Sequence, residues 1–178
     1  MLHLVRHAHA GEKHRWPGPD SLRPLSPAGQ AEAAGLLVRL EDYPVGRILS
    51  SPALRCQQTV QPLADDRLLG VELLPALGVA ADPAAVLALL GDAQAQDAVV
   101  CTHGEVIGEV LLRLVMEGLE VDHPLTWPKG STWLLDDAGG GRLRFGRYLA
   151  PLHLNDALIR PSAPQHVRTS GRSPGTTP

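Results

Sequence analysis

The chain has 178 residues, 44% of them apolar, 20% charged and only 3% aromatic. That is the length of one domain and a globular balance, with a core to be built from Leu, Val, Ile and Ala. A net charge of −3 argues against a general nucleic-acid binder or an anionic-membrane binder, and two cysteines, Cys56 and Cys101, make neither a disulfide framework nor a thiolate zinc site.

Leu2 to Val5 is a short apolar run that ends at Arg6-His7 and reads as a buried strand. Residues 8–25 hold Gly11, Pro17, Gly18, Pro19 and Pro24, too many breakers for a regular element, and read as a long basic loop. Ser26 as cap and Pro27 at the first helical position open a helix, with Ala31, Ala34, Leu37, Val38 and Leu40 as its apolar stripe through Glu41. Arg47 to Ser50 is a second strand. It runs into Ser51-Pro52, a second cap-plus-proline start, for a helix bearing Leu54, Arg55, Thr59 and Leu63 that Pro62 should kink or divide. Val71 to Leu74 is a third strand, and Asp82-Pro83 opens a helix over Ala84 to Leu90 with Gly91 as its stop. Ala98 to Thr102 is a fourth strand, entering His103-Gly104 and a helix from Glu105 to Glu117 that Gly118 ends. Ser131 to Leu135 and Leu143 to Leu149 flank Gly139-Gly140-Gly141 and read as a hairpin. Strands alternating with helices predict an α/β fold, three-layer α/β/α with a mostly parallel central sheet. One domain over 1–155 is expected, followed by a Pro-, Ser-, Thr- and Gly-rich tail over 156–178 that reads as disordered. No apolar run reaches about 18 residues, and His and Arg interrupt the N-terminus at once. The expectation is a soluble, cytoplasmic protein without a membrane span or signal peptide.

Open α/β sheets bind ligands beyond the carboxyl ends of their strands. Strand one delivers Arg6 and His7 there, strand two delivers Ser50-Ser51 with Arg55 one turn into the next helix, and strand four delivers His103-Gly104 at a helix start. Two imidazoles and two guanidiniums converging beside helix N-termini make a phosphate site, with Ser51 and Gly104 among its candidate phosphate-binding residues. An imidazole placed there can attack phosphorus. Each residue alone reads as a solvated strand or helix end; the coincidence of three strand ends outweighs that, since so many cationic groups would repel without an anion among them. His7-Ala8-His9 has the H-x-H spacing of binuclear zinc hydrolases, but Ala10-Gly11-Glu12 follows where such sites carry an Asp-His pair, and His3 is out of phase with the cluster. No metal and no cofactor are expected. The loop 9–23, with His9, Lys13, His14, Arg15 and Arg23, could grip a second phosphate or an acidic protein surface, or could simply be solvated. Trp16 and Trp127 could stack on a base or merely cover a rim. Cys56 and Cys101 read as buried small hydrophobes, and Gly108 as a point of close packing.

The blocks LVRHAHAG, RPLSPAGQAEA, SSPALRCQQT and VCTHGEVIGEVL resemble the histidine phosphatase superfamily, in particular its SixA-like branch and the similar domain found downstream of Nudix domains in some bacterial proteins. The resemblance spans roughly residues 1–150. It implies a phosphoglycerate mutase-like fold, His7 as a transiently phosphorylated nucleophile, and Arg6, Arg55 and His103 as the groups that bind and stabilise the phosphoryl group. It also makes Arg23, in the RPL block, the first substrate-side choice, and Lys129-Gly130-Ser131-Thr132 resembles a block of the Nudix-associated domains. A neutral, attacking His7 should have its second ring nitrogen held by a backbone carbonyl. Phosphomutase-like members carry a Glu after the third strand that protonates the leaving group; here the stretch reads Leu77-Gly78-Val79, and the nearest substitute, Asp82, reads better as a helix cap. Without that acid, good leaving groups are expected: phosphohistidine, acyl phosphate and phosphoanhydride fit, and a sugar alkoxide does not. Phosphohistidine on a protein, as for a SixA-like phosphatase, is ranked ahead. The alternatives are a nucleotide phosphoanhydride, as in a nucleoside diphosphate or dinucleoside polyphosphate, or a catalytically silent phosphate-binding adaptor.

Overall fold

In the computed structural model, which describes residues 1–94, 97–137 and 142–153, the apolar runs 2–5, 48–50, 98–102 and 132–135 become strands that are buried on both faces. The elements are β1 (Leu2–Arg6), α1 (Pro27–Arg39), β2 (Arg47–Ser50), α2 (Leu54–Arg67), β3 (Val71–Leu73), α3 (Pro83–Gln94), β4 (Ala98–Thr102), α4 (Gly104–Met116), β5 (Glu120–Val121), β6 (Thr132–Asp136) and β7 (Phe145–Leu149). One sheet runs in the order β3-β2-β4-β1-β6-β7-β5. Its half from β3 to β1 is parallel, whereas β6 pairs antiparallel with both β1 and β7. Successive strand side chains alternate between faces. Leu2, Leu4, Leu49, Val100 and Leu135 accordingly pack with Val86 and Leu90 of α3 and Ile107 and Leu111 of α4. Val5, Ile48, Val99 and Leu134 pack on the other face with Leu36 of α1 and Val60 and Leu63 of α2. This is the expected three-layer arrangement. Each such Leu or Val contributes roughly 1.5–3 kcal/mol of transfer free energy, which is why the strands read as unbroken apolar runs.

Local differences from the sequence reading each have a physical cause. The Ser26 cap is present, its Oγ accepting from Gly29 N at 3.2 Å. The buried face of α1, however, is Gly29, Glu32, Ala33, Gly35 and Leu36, one step round from the apolar stripe, because two glycines and a buried carboxylate occupy it. Helix α2 starts at Leu54 with Ala53 as its N-cap, Ser51 Oγ accepting from Ala53 N at 3.3 Å rather than from an amide inside the helix, and Pro62 leaves it a single helix. Helix α3 continues through Gly91 to Gln94, and Asp82 is its cap, Oδ1 accepting from Ala84 N at 3.0 Å. The loop over 8–25 contains two single 3-10 turns, Lys13–Arg15 and Asp20–Leu22. The two-residue β5, pairing with β7, has no sequence signal of its own. The expected Gly139–Gly141 turn and the tail over 156–178 lie outside the described residues. Among the described residues no helix is long and apolar enough to cross a membrane.

Strand order sets the site. β2, β4 and β1 are neighbours in register, with Ser50 opposite Cys101 and Thr102 opposite Arg6. The next residue of each strand, Ser51, His103 and His7, therefore leaves the sheet at one edge.

Candidate active site

His7 follows β1 directly, and its backbone N–H still donates to the Thr102 carbonyl at 3.0 Å. The ring is 6% exposed, and Nδ1–H donates to the Ala8 carbonyl at 2.8 Å. That bond fixes the tautomer and leaves Nε2 as the acceptor. Burial, which outweighs this bond, pushes the imidazole down to about 3; the charges of Arg55, His103 and Arg6 push the same way. The ring is thus neutral over the physiological range, and its free lone pair is on the nitrogen facing the cations.

Arg55, 3% exposed on the first turn of α2, ties the cluster together. Its Nε–H donates to His7 Nε2 at 3.3 Å and Nη2–H to His103 Nδ1 at 3.3 Å, while Nη1–H takes the Asp20 carbonyl at 2.7 Å. Because a guanidinium only donates, His103 carries its proton on Nε2, which donates to Ser51 Oγ at 2.9 Å. The His7 and His103 rings stand edge to face at 5.3 Å between centroids. Arg6 donates from Nη1 to the Trp127 carbonyl at 2.7 Å, and its Nε is buried with no hydrogen-bond partner. Gly104 gives Arg6 its room, since a Cβ there would lie 2.7 Å from Cζ of the guanidinium. Gly108 gives way in the same manner to Trp127.

Arg6, His7, Arg55 and His103 share a cavity of about 370 Å³ whose lining also includes Lys13, His14, Arg23 and Lys129, whereas Ser51 and Gly104 stand behind it and are not in its lining. Arg23 is largely committed to shape: Nε–H donates to Asp20 Oδ1 at 2.8 Å and Nη1–H to the Ala10 carbonyl at 2.7 Å. His9 does not join the cluster. Its Nδ1 bonds Ser26 Oγ at 2.7 Å, at the start of α1, so the H-x-H pair is split by the turn of the chain. Among the described residues no three His, Cys, Asp or Glu side chains come together as a metal would need. Asp82, the cap just before α3, is outside the cavity lining, and Val79 stands in the wall.

Three positioning residues escaped the sequence reading. Asp20 pairs with Arg55 at 3.2 Å as well as with Arg23; burial would raise its carboxyl, but the Arg23 hydrogen bond and the Arg55 charge hold it below the usual range. Thr59, one turn after Arg55 on α2, accepts from Ala8 N at 2.9 Å and donates to the Arg55 carbonyl at 2.6 Å. Glu32 of α1 accepts from His9 N at 2.8 Å. A buried acid in an apolar helix was the available signal for Glu32; an acid among cations was the signal for Asp20. Cys56 is buried, yet it does have a polar neighbour: Sγ lies 3.8 Å from His103 Nε2. Hydrogen bonding from Cys101 is the main cause drawing its thiol down, while burial pushes Cys101 up.

The chain is similar to several known proteins. The family model of the histidine phosphatase superfamily (branch 1) matches residues 2–78. An 8-oxo-(d)GTP phosphatase of Mycolicibacterium smegmatis is 35% identical over 154 residues, 83% of this chain and 47% of that protein; the chain spans about half the length of this curated relative. A solved structure from Agrobacterium tumefaciens, assigned as the phosphohistidine phosphatase SixA, is 28% identical with a TM-score of 0.68, covering 84% of this chain and 97% of its own. The protein histidine phosphatase SixA complexed with tungstate shares the fold at 22% identity, TM-score 0.66, over 88% of this chain and 98% of its own. By family model over residues 2–78, by relative and by fold, the chain is similar to the histidine phosphatase superfamily and has its SixA-like architecture.

Proposed function

We propose that the protein is a metal-independent phosphatase in which Nε2 of His7 takes the phosphoryl group, and that its substrates have leaving groups that depart without a protein acid. The observation that carries this reading is the His7 ring itself, neutral, locked by Ala8, with its lone pair turned toward Arg55. In the first half-reaction an N–P bond forms at Nε2 while the bond from phosphorus to the leaving group breaks, its electron pair departing with that group. Charge collects on the equatorial oxygens of a loose transition state, and Arg6, Arg55 and His103 are arranged to meet it. In the second, a water oxygen bonds to phosphorus, the N–P electron pair returns to Nε2, and both water hydrogens leave with inorganic phosphate and solvent.

Val79 stands in the cavity wall and the Asp82 carboxylate caps α3, while the carboxylates that do line the cavity, Glu12, Asp20 and Glu105, are engaged with cations rather than poised as acids. Phosphohistidine and phosphoanhydride meet that restriction; an alkyl phosphate does not. The SixA-like fold favours the first, a protein phosphohistidine, and the nucleotide-directed relative favours the second. Hydrolysis of p-nitrophenyl phosphate in EDTA, for the wild type and His7→Ala side by side, tests the chemistry. Turnover that disappears in the variant, with an alkali-stable phosphoenzyme in the wild type, is the expected result. Activity surviving in His7→Ala, or activity that EDTA removes and a divalent metal restores, overturns the reading. Bound phosphate without any turnover would make the chain a phosphate-binding adaptor.

A further inference from the structure

The cavity holds more positive charge than one phosphoryl group requires. Five permanent cations line it, Arg6, Lys13, Arg23, Arg55 and Lys129, against three carboxylates, Glu12, Asp20 and Glu105. Two of the carboxylates are spent: Asp20 on Arg23 and Arg55, Glu12 on Arg15 and His14. The charge of Glu105 falls on Arg6. The ammonium groups of Lys13 and Lys129 form no ion pair or hydrogen bond with any described residue.

The fold holds Lys129 in place from both sides. It sits in a tight turn closed by Ser131 N–H and Ser131 Oγ on the Pro128 carbonyl, at 3.1 and 2.7 Å. Gly130, at φ +74°, takes the left-handed conformation that lets its N–H reach the His7 carbonyl at 3.3 Å, and the Ser131 carbonyl accepts from Arg6 N at 3.0 Å. The turn is thus strapped to the two residues at the centre of the phosphoryl pocket. Partial burial, then the charges of Arg6 and Arg23, lower its ammonium from the ordinary value, against a weaker pull from Glu32 and Glu12. A structural lysine would have a carboxylate or carbonyl partner, and this one has neither.

We propose that Lys129, supported by Lys13, forms a second anion subsite continuous with the phosphoryl pocket, and that the substrate ends in a diphosphate, the chemistry of a nucleoside diphosphate. The inference rests on the reading that His7 takes the terminal phosphoryl group. The bond that breaks is then the bridging P–O bond. Its electron pair stays on the departing phosphate, whose charge Lys129 meets, which accounts for a site without an acid. Lys129 is a specificity residue in this scheme.

The test reads binding without turnover: calorimetric titration, in EDTA, of orthophosphate and pyrophosphate into the wild type, Lys129→Ala and Lys129→Arg. Pyrophosphate should bind the wild type about tenfold or more tightly than orthophosphate, the worth of one charge-assisted contact. Lys129→Ala should collapse most of that margin, and Lys129→Arg should restore it. In turnover, the ratio of kcat/KM for GDP to that for p-nitrophenyl phosphate should fall about tenfold in Lys129→Ala, chiefly through KM. Equal affinity of the wild type for the two anions, which fits a singly phosphorylated substrate such as a phosphohistidine protein, overturns the proposal, as does a margin that survives in Lys129→Ala. Failure of the His7 chemistry shows separately, in p-nitrophenyl phosphate hydrolysis by His7→Ala, and leaves the binding result standing.

Discussion

The two ends of β1 each bury a histidine, and the pair behave alike until their second nitrogens are compared. His3, fully buried near the start of the strand, has Nδ1 on the Ala98 carbonyl at 3.3 Å, and burial pushes it down to about 4. His7, just past the other end, has Nδ1 on the Ala8 carbonyl and is pushed down to about 3. Both are neutral imidazoles tied to a backbone oxygen. The Nε2 of His3, however, is buried without a partner, and its ring meets the edge of Tyr43, whereas the Nε2 of His7 meets a guanidinium in an open cavity. Burial and neutrality make an imidazole available; position beyond a carboxyl strand end, where neighbouring strands deliver cations, gives it something to attack.

That contrast can be broken most directly in turnover. His7→Ala should lower p-nitrophenyl phosphate hydrolysis on the order of 10⁴-fold, the scale of removing a nucleophile, while His3→Leu should change it less than about threefold. Comparable losses in both would mean the two rings differ less than their surroundings suggest. Arg55→Ala should cost roughly 10²–10³-fold in kcat, as for loss of one preorganised donor group, with Arg55→Lys recovering little of it because a point charge cannot reach His7, His103 and Asp20 together. Recovery by lysine would reduce Arg55 to its charge.

The smallest effect is in stability, and there the two histidines should act together. Above the ordinary value of 6.5 both are neutral whether the chain is folded or not. Below it the unfolded chain takes up protons that the folded rings refuse until about 4 for His3 and about 3 for His7. Stability is therefore full above pH 6.5 and falls as pH drops through that window, by roughly 1 kcal/mol per pH unit for each ring. Thermal melts between pH 7.5 and 4.5 should show the fall, and His3→Leu should flatten it by about half. An unchanged slope in that variant would place the acid sensitivity elsewhere.

Much of this molecule was legible because its central strands are buried on both faces and so read as plain apolar runs: 2–5, 48–50 and 98–102 needed no other signal. The strand-end rule then brought Arg6, His7, Arg55 and His103 together from residues far apart in the chain. Contacts between elements were harder to read. Ser51 has the sequence of a helix cap, and its hydroxyl accepts from Ala53 N but also bonds His103, a contact that depends on a residue 52 positions away. Gly91 resembles a stop but tertiary packing carries α3 past it. His9 looks like a partner of His7, and only the bend of the chain toward α1 separates them. Thr59 and Glu32 hold backbone amides of the loop after β1, and nothing local marks a side chain as the acceptor for an amide far along the sequence.

The bond from Arg55 Nε to His7 Nε2 has a further consequence. In the proposed mechanism it rests on the same lone pair that attacks phosphorus, so the guanidinium sheathes that nitrogen until an anion competes for it. A neutral electrophile offers the guanidinium no better partner and finds the ring covered. An anionic phosphoryl oxygen draws those hydrogens to itself and bares the nitrogen directly beneath the atom it is to attack. Recognition of the substrate and arming of the nucleophile become a single exchange of partners, and the protein guards its own ring against stray reaction by the device with which it selects its ligand.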